Sequence, residues 1–324
     1  MASVEPNPDL YGSAAQRSAL ADYLEIVAIY GKKLTEGELA DTLEDNDWRL
    51  RNEPYVIGEG GTDSSGIDDE DDDDGGPESN FAESASLTFK QIDERATILG
   101  DRYPFEISKG RLRYRGASDD VYLFYLSVAT LHAYDVPAPD APWKIFESAV
   151  LRSLKSEWLL SASVSSHRRA GKTFADALTA AALELRMTAR PEQMSFSSSA
   201  HDEGADVIVN YWWRDERAGH WIMVGQVTCS RDSSNWKRKM LEVEPSYWAR
   251  GLGVMNNGCV SRFLALPYHV ERDQLRYLVE KCNGVLLDRL RLTACRQKLE
   301  PDENAFVAKL RSGIGVFVPG GMPV

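Results

Sequence analysis

Residues 202–240, DEGADVIVNYWWRDERAGHWIMVGQVTCSRDSSNWKRKM, decide how the chain is read. Within them 205–213 (ADVIVNYWW) and 219–228 (GHWIMVGQVT) are rich in β-branched and aromatic side chains, and the charged RDERAG between them ends in Gly219. This pattern predicts two antiparallel strands joined by a short turn. The centre of the turn falls near Glu216, so symmetric pairing sets position 206 opposite position 226. Directly opposed residues have Cβ atoms roughly 4.5–5.5 Å apart, and Asp206 and Gln226 are expected side by side. Strand alternation places Thr228 on the Gln226 face and turns Cys229 to the other face, toward the core. A carboxylate and a carboxamide oxygen converging at the mouth of a hairpin suit Mg²⁺, which keeps several waters and needs only one or two protein carboxylates. Gln226 also interrupts the apolar run WIMVGQVTC, where a polar side chain requires a partner or a purpose.

Outward from the hairpin, the chain alternates helix and strand. A helix over 234–243 is followed by a strand at 260–266 (VSRFLAL), a helix at 271–282, a strand at 284–288 (GVLLD) and a last helix through LDRLRLTACRQKL. Before the hairpin, 143–160 (WKIFESAVLRSLKSEWLL) reads as a helix with Glu147 among apolar neighbours. A polar basic loop (161–172, SASVSSHRRAGK), a helix over 173–189 and a first core strand at 194–199 (MSFSSS) are expected after it. RRAGKT resembles a phosphate loop in part, but the glycine required five residues before Gly171 is Ser166, which excludes that motif. Arg168, Arg169 and Lys172 stand instead as candidate contacts to a phosphate backbone.

The order Gly-x-Asp on one strand, then Gln two residues before a third functional position on the next, then a helix, resembles the PD-(D/E)XK, or restriction-endonuclease-like, nuclease superfamily. The resemblance covers roughly residues 143–290. It implies an α/β (α+β) fold with a central mixed β-sheet flanked by helices in an αβββαβ core. It further implies that Asp206 and Gln226 bind Mg²⁺ or Mn²⁺, and that Glu147, on the helix preceding the hairpin, joins them. Thr228 stands where the family has its lysine. Some members carry that lysine on the following helix, where NWKRK offers Lys237 and Lys239; Lys239 is the candidate for catalysis and Lys237 a candidate nucleic-acid contact. The implied activity is metal-dependent hydrolysis of DNA, with RNA left open, of the kind used in bacterial restriction or anti-phage defence beside an ATPase or sensor subunit. The alternative, supported by Thr228, is a catalytically inactive module that binds nucleic acid or a partner protein.

Composition bounds the rest. A chain of 324 residues with 43% hydrophobic residues has ample material for a core and the length of about two domains. The absence of an apolar signal segment or a run long enough to cross a bilayer predicts a soluble, cytoplasmic protein without a membrane partner. The four cysteines share no Cys-x-x-Cys spacing and the five histidines are scattered, which argues against zinc and for reduced thiols. The net charge of −13 misleads as to partners: residues 59–78 carry ten Asp or Glu and no Lys or Arg, and without them the charge is −3. Residues 151–300 hold 22 Lys or Arg against 17 Asp or Glu, a mildly basic balance that permits phosphate contacts.

Four regions are expected: a small helical domain at 1–58, a disordered acidic linker at 59–79, accessory helices and short strands at 80–142 packed on the core, and a nuclease-like core at 143–324. In the first, Leu20, Tyr23, Leu24, Val27 and Ala28 form an apolar helical stripe, and Leu39, Thr42 and Leu43 form another. Thr35 has the position of an N-cap and Glu38 that of its capping-box partner. The linker is too poor in apolar residues to bury a core; as a flexible coil it spans roughly 25 Å. In the third region, 81–100 reads as a helix, RYPFEISKGRLRYR as a hairpin and 120–134 as a helix buried on nearly every face. Sequence alone does not distinguish a monomer from a homo-oligomer.

Overall fold

Apolar residues at helical spacing form α1 (Ser13–Ile29), with Leu20, Leu24, Val27 and Ala28 buried. Thr35 opens α2 (Glu36–Asp45) through the reciprocal pair expected of a capping box: Glu38 N–H donates to Thr35 Oγ1 (3.1 Å), and Thr35 N–H donates to Glu38 Oε2 (2.7 Å). Next come α3 (Phe81–Leu99), the hairpin of β1 (Phe105–Ser108) and β2 (Arg111–Tyr114), and α4 (Asp120–Ala133), in which every residue from 121 to 131 is buried. The computed structural model describes residues 13–45, 81–116, 120–133, 138–156, 159–196, 204–211, 213, 220–230, 233–254, 257–296 and 298–312. The acidic segment 59–78 and the turn at 214–219 lie outside them.

The second half supplies α5 (Pro142–Leu154), β3 (Leu159–Ser163), α6 (Val164–Arg169), α7 (Phe174–Glu184), β4 (Val207–Tyr211) and β5 (Ile222–Val227). It continues with α8 (Ser233–Glu242), α9 (Pro245–Gly251), β6 (Val260–Ala265), α10 (Arg272–Cys282), β7 (Gly284–Leu287), α11 (Arg289–Cys295) and α12 (Pro301–Arg311). The strands make one five-stranded mixed sheet in the order β3-β4-β5-β6-β7. The pairs β3–β4 and β4–β5 are antiparallel, whereas β5–β6 and β6–β7 are parallel. A mixed sheet of this kind buries both faces. Val207, Val209, Phe263 and Ala265 face a core shared with α1 through α5, α11 and α12. Ile208, Ile222 and Val224 face α7 and α9, and Leu264 and Leu286 face α8 and α10.

Several expectations fail before the hairpin. The first core strand is β3, not 194–199, of which the described residues 194–196 form no strand; Met194 instead lies against Gly251, whose missing Cβ leaves room for the Met194 sulfur. The helix expected over 143–160 stops at Leu154, where Lys155 turns extended, and 159–163 enter the sheet. Serines disguise that strand. Ser161 Oγ donates to Leu151 O (2.9 Å), and Ser163 caps α6 by accepting from Ser166 N–H (2.8 Å), so the residues that made 161–172 look like a loop are satisfied at an edge strand and a helix start. The helix expected to reach 189 ends at Glu184, with Arg186 left-handed at φ 56° and Leu185 O held by the buried Asn210 amide (3.0 Å).

No helix among the described residues is long and apolar enough to cross a membrane. All four cysteines are free thiols; Cys229 lies in the core as expected, and burial pushes its thiol far above the ordinary range.

Candidate metal site at the hairpin mouth

The β4–β5 register is Val207↔Gly225, Ile208↔Val224, Val209↔Met223 and Asn210↔Ile222. Continued by one step it sets Asp206 opposite Gln226, as a turn centred at 216 requires. Asp206 N–H donates to Gly225 O (3.0 Å) and Val227 N–H donates to Asp206 Oδ2 (2.8 Å), so a side-chain carboxylate closes the ladder beside Gln226. Val164 N–H reaches Asp206 O (3.0 Å), which ties the start of α6 to the same point. The chain enters through Gly204, at φ 77°, where an added Cβ would stand 3.1 Å from the carbonyl of Glu242 at the end of α8.

Gln226 is 7% exposed and its side chain takes the sheet face that carries α8. Its Nε2 donates to Glu242 Oε2 (2.7 Å). Glu242 also pairs with Arg238 one turn earlier, and residues three apart on a helix share a face. Lys239 therefore stands on the Gln226 side of α8, half-buried. Lys237 faces elsewhere, with Nζ 5.9 Å from the ring centre of Tyr277 on α10. Thr228 is buried in a local turn: its Oγ1 accepts from Ser230 N–H (3.1 Å), and its N–H donates to Ala265 O (3.1 Å). Glu242 is the member of this group that strand periodicity did not find. It lies at the exposed flank of α8, beside the buried face of Trp236, Met240 and Val243, and reaches Gln226 from there.

Glu147 is placed differently. Its carboxylate, on a residue 4% exposed, accepts from Ser163 Oγ (2.6 Å), Ser165 Oγ (2.5 Å), Arg169 Nη1 (2.9 Å) and Arg169 Nη2 (2.9 Å). Ser163 pairs with Val207 and so shares its face, one position out of phase with Gln226. Glu147 and Gln226 thus lie on opposite faces of the sheet. Arg169 is committed to Glu147 and stacks over the Trp143 ring at 5.5 Å, Arg168 donates to the carbonyl of Lys172, and the Lys172 side chain is exposed. Beside them, a cleft of about 300 Å³ follows the outer edge of β3, lined by Arg152, Lys155, Ser161, His167 and Glu184.

Comparison with family models, curated proteins and solved structures finds no match. The chemistry of the site must be weighed on its own donors. Asp206 offers a carboxylate, whose two oxygens have about four lone-pair sites in all, and one of those oxygens accepts from Val227 N–H. Gln226 offers Oε1, which takes no hydrogen bond from the described residues. The register sets the two residues opposite each other, and a carboxylate and a carboxamide oxygen are the hard donors that suit Mg²⁺ or Mn²⁺, which complete their shell with water. Among the described residues no three His, Cys, Asp or Glu side chains gather into a metal-holding group; an ion held here would take its remaining positions from water or substrate oxygens.

Proposed function

We propose that the chain is a metal-dependent nuclease that hydrolyses phosphodiester bonds of DNA, built on a restriction-endonuclease-like core. The observation that carries this reading is the β4–β5 register, which, continued by one step, sets Asp206 opposite Gln226 at the hairpin mouth. Support for that core comes from the order α5-β3-β4-β5-α8-β6, interrupted by α6 and α7 after β3 and by α9 after α8, with three antiparallel strands and a fourth parallel to the third. A bound Mg²⁺ supplies Lewis acidity and lowers the pKa of a water. Asp206 and Gln226 hold and orient the ion. Lys239, on the same side of α8, offers a positive charge to the negative charge that develops on phosphate oxygens. Glu147 holds Arg169 and the start of α6 in place rather than standing beside Gln226. A role in defence, beside an ATPase or sensor, rests on the resemblance alone.

The test is cleavage of supercoiled plasmid and of single-stranded DNA and RNA with Mg²⁺ or Mn²⁺. Asp206→Ala and Gln226→Ala are expected to abolish cutting, and Lys239→Ala to lower kcat by about 10²-fold or more, with Lys237→Ala cutting at nearly the wild-type rate. The second reading, an inactive module that binds nucleic acid or a partner, is favoured by the local turn that Thr228 makes at the usual lysine position. Retained DNA binding with no cutting by the wild type under any metal would establish it over the enzyme.

A further inference from the structure

Gln226 Nε2 lies 2.7 Å from Glu242 Oε2. A carboxylate only accepts hydrogen bonds, whereas a carboxamide has one donating and one accepting end. The reversed amide would set two oxygens at that distance with no proton between them. The contact therefore determines which way the amide points, at a nearly buried position where an unmatched oxygen pair is costly. We propose that Glu242 is a positioning residue: it holds the amide end of Gln226 against α8 and leaves Oε1 as the oxygen donor beside Asp206. Arg238 supports this by pairing with the other oxygen of Glu242. Gln at 226 is then required by its neighbour, because a carboxylate there would meet Glu242 head-on.

The inference rests on the metal-dependent reading, and Mn²⁺ binding to the full chain, followed by electron paramagnetic resonance, tests the two separately. Loss of a group that orients a ligand typically weakens metal affinity about 10- to 100-fold, and that is expected for Glu242→Ala. Glu242→Gln keeps an oxygen able to accept the same bond and is expected to bind within a few-fold of wild type. If Glu242→Gln loses as much as Glu242→Ala, the charge of Glu242 acts directly and the positioning role is overturned. It is also overturned if Glu242→Ala binds like wild type. Wild type that takes up no Mn²⁺ overturns the nuclease reading, and the role toward a cation with it.

Thermal unfolding supplies a second readout that survives misfolding of the alanine variant. Gln226→Glu is expected to lower Tm by opposing two carboxylates, and Gln226→Glu combined with Glu242→Gln to recover it by restoring a donor and an acceptor. No recovery in the double variant counts against the pairing itself.

Discussion

Gly225 stands one residue before Gln226 in the middle strand of the sheet. A Cβ built there would lie 2.3 Å from Phe263 O and 2.5 Å from the Phe263 ring in β6. A glycine in a strand interior marks close approach of a neighbour, and here the neighbour is a backbone carbonyl that cannot turn away. Gly225→Ala is expected to destabilise the fold by about 1–3 kcal/mol, the usual cost of forcing extra volume into a packed core, measured by urea unfolding. The same shift of β5 moves Gln226 relative to Asp206, so Mn²⁺ affinity should fall as well. Wild-type stability and affinity in this variant would show that β5 and β6 separate without consequence. Asp206 and Gln226 were legible in the sequence because both sit on one hairpin, where a symmetric turn carries the register. Glu242 was not, because its partner lies sixteen residues away on another element and no periodicity links a strand glutamine to a helix glutamate.

At the scale of elements, α6 decides whether its arginines belong to the fold or to a ligand. Arg169 neutralises Glu147, which is 4% exposed; removal of one member of such a pair leaves a buried charge held by two serine hydroxyls. Arg169→Ala is expected to cost about 1–3 kcal/mol of stability. Lys172→Ala should leave stability unchanged, weaken DNA binding and reduce its salt dependence by about one counterion. Equal loss of DNA affinity in both variants, with no loss of stability in either, would assign Arg169 to the ligand instead. The element boundaries show what sequence periodicity detects. The capping box at Thr35 and the hairpin strands rest on contacts within a few residues or on one turn, and each stands where expected. The strand β3 does not: LLSAS is short and serine-rich, and its polar groups are met by α5 and α6, information that no local pattern contains.

Across the whole molecule, the described N-terminal helices share one apolar core with α3 to α5, α11 and α12, and a buried ionic network fastens α1 there. Arg95 and Arg289, both fully buried, converge on Asp22, with Arg95 Nη1 at 2.8 Å and Arg289 Nη2 at 2.6 Å. Glu25 accepts from Arg95 Nη1 (2.8 Å) and from Tyr122 OH (2.8 Å). Burial alone would raise the Asp22 carboxyl, but Arg289 and Arg95 outweigh it and hold the group below its ordinary value of 3.8. A carboxyl depressed in the folded state adds stability that is present above its unfolded pKa and is lost as pH falls through the folded one. Acid should therefore release α1 from the arginines only below the ordinary carboxyl range. Asp22→Asn removes the ion pair and leaves two buried guanidinium groups facing one remaining carboxylate, a loss of about 3 kcal/mol at neutral pH. Because the variant no longer has this group to protonate, its stability should fall less steeply than that of wild type as pH drops from 5 to 2. Urea unfolding at several pH values in that window tests the point: profiles that stay parallel for wild type and Asp22→Asn would mean that the network does not depend on the charge of Asp22, and that shape alone holds α1 against the core.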